Sequence, residues 1–500
     1  MSKLQFGWAE ISITPDKKVS LAGQFAERIS EYVEKPLTAT AMAVSSDDEQ
    51  MILVSCDLVS TSANLVDAVR AELKDNDLGI DPDKVVLSAI HTHTGPAYTR
   101  TRRSKSKASH KSALLQLLPP DKKYVEKANI SNNPDIIQGD EMLKFLVERI
   151  VNVTKESWAN RKTGSFSNAF GRAPVGMCRR ASYTDGSAQM WGETNMAVFD
   201  AVEGGSDTGI ELMYVFGENN ELTGIVANLA CPAQCVQHRL FVSPDFWGET
   251  KMLLRKRFGD NIFLLALCSA AGDQCPVDIV RWVEPESDVN DPNIERKYPL
   301  KRKADPSMFD LDGMRLTGRR IANEIIAVYE DGLDAPQEDA ELIHHVHHMK
   351  LPIRKATLAD KLAAEKAIAD YLDKKVGDID YNDVAKLQIY TGTLVRMEVQ
   401  NVQNVLDTEV HIMRLGTIAI ATNPFELFLD FGNQIKARSH AEQTFLIQLC
   451  CGSEGYLPTK KAEDGGHYSA FISSGQVGHI GGDQLVRETL EDINNELFPL

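Results

Sequence analysis

Short apolar runs alternate with stretches of helical period along most of the chain, a pattern that predicts α/β architecture. "TATAMAVSS" and "QMILVSCDLV" read as successive strands, the second apolar enough to lie inside a sheet. "SANLVDAVRAELKDN" follows as a helix with Leu65, Val66, Val69 and Leu73 on one face. "DKVVLSAI" is the next strand, and it delivers His91 and His93 at its C-terminal end. Further on, "DEMLKFLVERIVNVTKESWANR" predicts a helix, and "ELMYVFGENNELTGIVANLAC" predicts two strands joined by a hairpin turn at 217–220. "NIFLLALCSAAGDQCP" reads as a buried strand running into a turn, and a long helix is expected over 311–331. Residues 355–400 are largely helical in pattern and precede a C-terminal region opening near "EVHIMRLGTIAIATNPFE". Neither an internal repeat nor a low-complexity tail interrupts the series, so the whole of 1–500 is expected to form one large mixed-sheet domain with helices.

Residues 98–140 break the pattern with a long polar excursion, of the kind that forms a lid or mobile loop. It opens on "RTRRSKSKASHK", residues 100–111, which carry six Lys or Arg and no acid. The chain as a whole has a net charge of −17, which argues against nucleic acid or an anionic membrane surface as partner. An apolar content of 43% and a charged content of 25% fit a globular protein. The N-terminal stretch has no signal-peptide core, and no apolar run approaches membrane-spanning length, so the expectation is a cytoplasmic chain without stable membrane insertion. The expected partner is a small-molecule substrate. Eight cysteines occur without any CxxC, which disfavours finger-type zinc and thioredoxin-like chemistry and suggests reduced thiols.

Four of the strand-like runs end in side chains capable of chemistry. They lead to His91 and His93, to His238 and Asp245, to Asp273 and Cys275, and to Glu426. Open α/β sheets bind ligands at the C-terminal ends of their strands, so the active site is expected there. His, Asp and Glu in such a group suit a catalytic zinc, which keeps a position open for water and acidifies it to a pKa of about 7. An H-x-H pair on extended backbone places both imidazoles on one face. The competing reading turns Thr92 inward and leaves both histidines in solvent. "IHHVHH", residues 343–348, reads as a solvated strand with His344 and His348 on one face and His345 and His347 on the other. His110, His411 and His440 read as surface or packing residues. Cys231, Cys235, Cys268, Cys450 and Cys451 lie in apolar runs and read as small buried hydrophobes, whereas Cys275 follows a Gly-Asp turn.

The elements "AEISITPDKKVSLAGQ", "SCDLV", "SAIHTHTGP", "NLACPAQCVQHRLFVSPDFWGE", "CSAAGDQCP", "TNPFELFLDFG" and "GYLPT" resemble the neutral/alkaline non-lysosomal ceramidase family, in its N-terminal catalytic domain. Family members with ceramidase activity carry a further immunoglobulin-like C-terminal domain, and no such separate domain is expected within residues 1–500. The resemblance implies one Zn²⁺ per chain, with His91 and Glu426 as ligands and His93 beside the metal to assist proton transfer. The family's second histidine ligand follows its N-x-A-C element, where this chain has Pro232, and His238 is the nearest replacement. The tyrosine ligand of the family falls near Ser453, leaving Tyr456 or His467 to reach the metal, with His467 otherwise on the substrate side. The family's serine in G-D-x-S-P corresponds to Cys275, a candidate nucleophile flanked by Asp273, and Asp57 joins the candidate catalytic set. Arg172, Arg179 and Arg180 lie in a segment that resembles the substrate side of the family, where a planar guanidinium suits carboxylate or phosphate.

The leading expectation is a zinc-dependent hydrolase of an amide or related carbonyl bond, acting on a small, soluble substrate. Two alternatives stand beside it. A carbohydrate-active hydrolase would draw an acid/base pair from Asp57, Asp245, Asp273 and Glu426. A non-catalytic descendant would have lost the metal.

Overall fold

The computed structural model describes residues 3–24, 27–74, 77–101, 108–125, 133–281 and 309–500. Its larger sheet has eight strands in the order Phe263–Cys268, Leu222–Leu229, Gly209–Gly217, Lys162–Arg172, Gln5–Ser12, Thr38–Ser45, Gln50–Cys56 and Val85–Ala89. The centre is antiparallel, while the outermost pair at each edge is parallel. Parallel edges require crossover helices, and the sequence supplies Ala63–Leu73 on one side and Phe246–Phe258 on the other.

The sheet bends back on itself where Gln5–Ser12 meets Lys162–Arg172, a joint of only two residue pairs. Strands from opposite ends of the order therefore touch. Trp8 stacks on Phe263 with ring centroids 5.7 Å apart, and the Ser55 hydroxyl donates to the Ala266 carbonyl. Gly224 makes room for this contact, since a Cβ there would lie 2.4 Å from the Trp8 ring.

Alternation along Leu222–Leu229 shows how the layers are assigned. Ile225, Ala227 and Leu229 pack with Met314, Ile321 and Ile325 of the helix Asp310–Asp331. Val226 points the other way, into the core shared by both sheets. Asn228 also points that way and clasps the second sheet, donating to the Leu446 carbonyl (2.9 Å) and accepting from its N–H (3.1 Å). That second sheet orders Leu342–Pro352, Val405–Leu415, Ile418–Thr422 and Gln443–Ile447, the last two being parallel. The helices Leu429–Arg438 and His479–Glu491 cover it through Phe431, Ile435, Leu485 and Leu490.

The expected elements are present, including the helix Asp310–Asp331, the hairpin after Gly217 and the helices Leu358–Lys374 and Gln388–Val402. The polar excursion is a partial exception, since its described parts are built into the molecule. Tyr98 is buried and bonds Ser62 and the Ser60 carbonyl, and a short helix, His110–Leu115, packs Ala113 and Leu114 against Ile368 and Leu394. Half of the basic island, 102–107, lies outside the described residues, as does 126–132. No described helix is long and apolar enough to cross a membrane.

Candidate functional site

Parallel strand pairs deliver their C-terminal ends to one region. Val85–Ala89 leads to His91 and His93, Leu222–Leu229 to Gln234, Ile418–Thr422 to Glu426, and Gln443–Ile447 to Leu449. These ends surround a cavity of about 290 Å³ whose wall includes His91, His93, Glu426 and Tyr456. Two residues of its wall are held at positive φ without glycine: His91 (64°) and Leu449 (51°). Such conformations cost roughly 1–3 kcal/mol each and concentrate where function demands them.

His91 is buried, and its Nδ1 lies 2.7 Å from the Val59 carbonyl oxygen. A carbonyl only accepts, so Nδ1 carries the proton and the neutral ring presents a lone pair at Nε2. That atom is 3.2 Å from Nε2 of His93 and 3.5 Å from Oε2 of Glu426.

The His93 tautomer follows from a second chain of bonds. Buried Arg179, which can only donate, gives Nη1–H to Oε1 of Gln234 at 3.0 Å. The Gln234 amide nitrogen is thereby turned toward Nε2 of His93 at 2.8 Å, and that atom must accept. His93 is thus protonated at Nδ1. The Nε2 lone pair of His91 faces both Nε2 of His93 and Oε2 of Glu426, while the His93 lone pair accepts from Gln234. Burial lowers the pKa of His91 and takes that of His93 further down, helped by the neighbouring His91 and Arg28, so neither ring relieves the clash by protonating. His91 and Glu426 are donors of the kind a borderline divalent cation such as zinc takes, and His93 joins them only when its Nε2 is released by Gln234.

The loop before the site is shaped around His93. Gly23 sits at φ 91°, and a Cβ there would stand 2.5 Å from the imidazole Cγ. Arg28 donates to the backbone carbonyls of His93, Ala22 and Gln237, 2.6 Å in each case, tying three loops together.

Glu426 and Tyr456 are register partners on two short parallel strands, so their side chains stand side by side. Burial, then Glu426 and Tyr468, push the Tyr456 phenol well up, so it stays protonated and donates to the Tyr468 hydroxyl at 3.3 Å. A second guanidinium N–H of Arg179 lies 3.5 Å from the Tyr456 oxygen.

Several sequence candidates lie elsewhere, each for a definite reason. His238 stacks on Phe309 (4.9 Å) and faces Asp310 at 3.5 Å, so it is not brought to the cavity. Asp57 accepts from the N–H and hydroxyl of Thr38 (2.7 and 3.0 Å) in a different hollow beside Lys251. Asp273 accepts from Leu429 N–H at 2.9 Å and caps the helix that begins there. Asp245 likewise caps Phe246–Phe258, through Phe246 N–H at 2.7 Å. Cys275 is fully buried beside Val277 and Phe309, donates to the Val277 carbonyl, and has its thiol pushed up to about 12 by burial. Arg180 is committed to Glu203 at 2.7 and 2.9 Å, and Arg172 is exposed over Phe170. His467 accepts from Met190 N–H at 3.1 Å, its pKa lowered to about 4 by burial and Arg180. Among the described lining residues Glu426 is the one carboxylate, so the acid/base pair expected of a glycosidase is not assembled in this cavity.

Two residues of the excursion do reach the cavity, Arg100 and His110. His110 was expected at the surface or in packing; it is held by Thr391 at 3.0 Å. Gln234 was not singled out from sequence. Its signal was its place in "CPAQC", directly after the strand whose end should carry a site residue.

The sequence matches no family model and no curated protein. The fold does match solved structures. The crystal structure of neutral ceramidase from Pseudomonas aeruginosa superposes with a TM-score of 0.66 at 15% identity, over 98% of this chain and 74% of that one. A ceramidase complexed with C2 gives 0.64 at 13% identity, over 98% and 75%. The chain therefore has the neutral ceramidase fold, a large mixed sheet with helices, as the strand-end motifs implied.

Proposed function

We propose that the chain is a metal-dependent hydrolase of an amide or related carbonyl bond, with His91, His93 and Glu426 as the cation's protein ligands. The observation that carries this reading is the unprotonated Nε2 of His91, which stands 3.2 Å from Nε2 of His93 and 3.5 Å from a carboxylate oxygen of Glu426. This revises the ligand set suggested by the sequence, with His93 taking the part given to His238. When bound there, zinc would supply Lewis acidity toward a carbonyl and lower the pKa of water.

The chain's own residues divide the remaining work. Val59 fixes the His91 tautomer, and Arg179 acting through Gln234 fixes that of His93 until its Nε2 lone pair is turned from Gln234 to the cation. The Tyr456 hydroxyl lines the cavity and, turned from Tyr468, would donate to negative charge developing on a carbonyl oxygen, an effect of the oxyanion-hole type, with Arg179 behind it. Cys275 has no part in bond-making on this reading, because its thiol is protonated and turned to Val277.

The ceramidase fold supports an amide as the scissile bond. The cavity itself favours a small, polar substrate over a two-chain lipid. At about 290 Å³ it is small, and serines 60, 453, 473 and 474 with Gln24 and Gln388 make much of its wall polar.

The test is turnover of a panel of short N-acyl amines, a ceramide and aryl glycosides by the zinc-loaded and chelated protein. Zinc-dependent release of amine from a short amide, lost in Glu426→Gln, is the expected result. Turnover of glycosides alone, or amide turnover indifferent to chelation, would overturn the reading.

A further inference from the structure

A second cluster of metal-binding character lies apart from the cavity. The strand Leu342–Pro352 presents His345 and His347 on one face, as its period of two requires. Asp492 approaches that face from the end of the helix His479–Glu491, where the chain enters a π-helical turn, Asp492–Leu497. Wide turns of this kind occur frequently at functional sites. Asp492 Oδ1 is 3.1 Å from His345 Nδ1, and its Oδ2 is 3.0 Å from His347 Nε2. All three residues thus have ligand atoms within 4.8 Å of one another.

Two features separate this cluster from ordinary histidine–carboxylate pairing. The Asp492 side chain is 9% exposed, so a carboxylate has been taken out of water beside two imidazoles. Moreover, Asp492 Oδ2 and His347 Nε2 are each buried without a hydrogen-bond partner although they stand only 3.0 Å apart. Their separation suits a hydrogen bond, but their orientation does not make one. Two donors sharing a tetrahedral cation with bonds of roughly 2.0–2.1 Å would lie about 3.3 Å apart, close to the spacing found. The surrounding hollow, about 460 Å³, adds Glu491, Asn495 and Glu496 to the wall, which favours positive charge.

We propose that His345, His347 and Asp492 form a second divalent-cation site, selective for borderline transition ions such as Zn²⁺ over Mg²⁺ or Ca²⁺. Two imidazoles set that selectivity, since the hard ions prefer oxygen ligands throughout. An ion held there joins the strand Leu342–Pro352 to the C-terminal turn and acts as a structural clamp. It draws no ligand from the candidate active site.

Zinc binding to the full chain, titrated by calorimetry at neutral pH, tests the proposal. The wild type should take up two ions, and His345→Gln/His347→Gln should take up one with its hydrolytic activity unchanged. His91→Gln should also take up one, but at the remaining, C-terminal site. In that His91→Gln background, Co²⁺ should give a visible absorption band that Asp492→Asn weakens at least tenfold in affinity. Equal zinc stoichiometry and affinity in the wild type and the double histidine variant would overturn the proposal. So would a cobalt spectrum unmoved by Asp492→Asn. Failure of the His91 site alone would appear differently, as one ion in the wild type and none in His345→Gln/His347→Gln.

Discussion

His91 and His93 are two residues apart in sequence, yet their tautomers are set from opposite sides of the site. A carbonyl at Val59 fixes one, and a guanidinium acting through an amide fixes the other. Substituting Gly23 should therefore reach the chemistry without touching a ligand. Gly23→Ala would put a Cβ 2.5 Å from the His93 ring at a φ of 91°, which a side chain rarely adopts. Zinc affinity and turnover should both fall at least tenfold while the protein still folds, as titration and kinetics on the same preparation would reveal. Cys275 supplies the opposite case. Its protonated thiol belongs to an apolar cluster, so Cys275→Ala should leave turnover within about twofold of wild type and cost about 1 kcal/mol of stability for lost packing. A drop of a hundredfold in turnover would restore the thiol as nucleophile. From sequence alone Cys275 stood apart from the other cysteines, because it follows a Gly-Asp turn and corresponds to the family's serine. Only packing against Val277 and Phe309 reveals that the turn faces inward.

At the level of elements, the second sheet is fastened to the first by a buried ionic network. Arg70, from the helix Ala63–Leu73, donates to both oxygens of Glu409 at 2.8 and 3.0 Å, and His411 lies 3.0 Å from the same carboxylate. His411 is bonded on both ring nitrogens. Its Nδ1 meets Nε2 of His344, which must accept because the Gln50 carbonyl takes the other His344 proton. His411 is therefore an imidazolium. Burial pulls its pKa down, but Cys451 and Glu409 outweigh that effect and leave it raised. Burial likewise pushes Glu409 up, and His411 with Arg70 more than reverses it. The signs then follow from linkage. The depressed carboxylate contributes stability above its unfolded pKa of about 4.3 and loses it as pH falls through the folded value. The raised histidine contributes fully below about 6.5 and loses its share as pH rises through its own folded value. Removing one partner of such a buried pair typically costs about 3–5 kcal/mol. Denaturant unfolding of Arg70→Met should show a loss of that order near pH 6, shrinking as the buffer is taken well below pH 4. A pH-independent loss would mean that packing, not charge, fastens the sheets.

Asp273 gives an element-scale prediction of the reverse sign. It ties the strand Phe263–Cys268 to the helix starting at Leu429, and burial raises its pKa to about 6. A carboxyl whose folded pKa exceeds its unfolded value binds more protons when folded, so stability falls as pH rises from about 4 to 6. Asp273→Asn keeps an oxygen for Leu429 N–H and removes that penalty. The variant should be more stable than wild type at pH 7.5 and indistinguishable from it at pH 4, by thermal unfolding in both buffers.

Across the whole molecule, the alternation of strands and helices was legible because burial on two faces leaves long apolar runs, as in Gln50–Cys56 and Phe263–Cys268. The order of the strands was not, nor the fold of the large sheet at a two-residue joint, since neither leaves a local signal. The same limit applied to the site. His91 and Glu426 could be read because each closes an apolar run, whereas His238 sits in a turn that follows one, and nothing local says which way a turn faces. That topology has a thermodynamic consequence. His91 and His93 follow an edge strand of the first sheet and Glu426 follows a strand of the second, so a cation bound to all three links the sheets. Binding to the folded chain alone stabilises it by RT ln(1 + [L]/Kd), about 2.7 kcal/mol at a hundredfold excess over Kd. The effect is best read with His345→Gln/His347→Gln, in which the proposed C-terminal site is silent. Zinc should raise the melting temperature of that variant by several degrees, and chelator should reverse the rise. Adding Glu426→Gln should shrink the shift sharply, since the cation then loses its carboxylate ligand and binds more weakly. If zinc stabilised the Glu426 variant equally, the cation would have to bind elsewhere, and the two sheets would be joined by packing and the Arg70–Glu409 network alone.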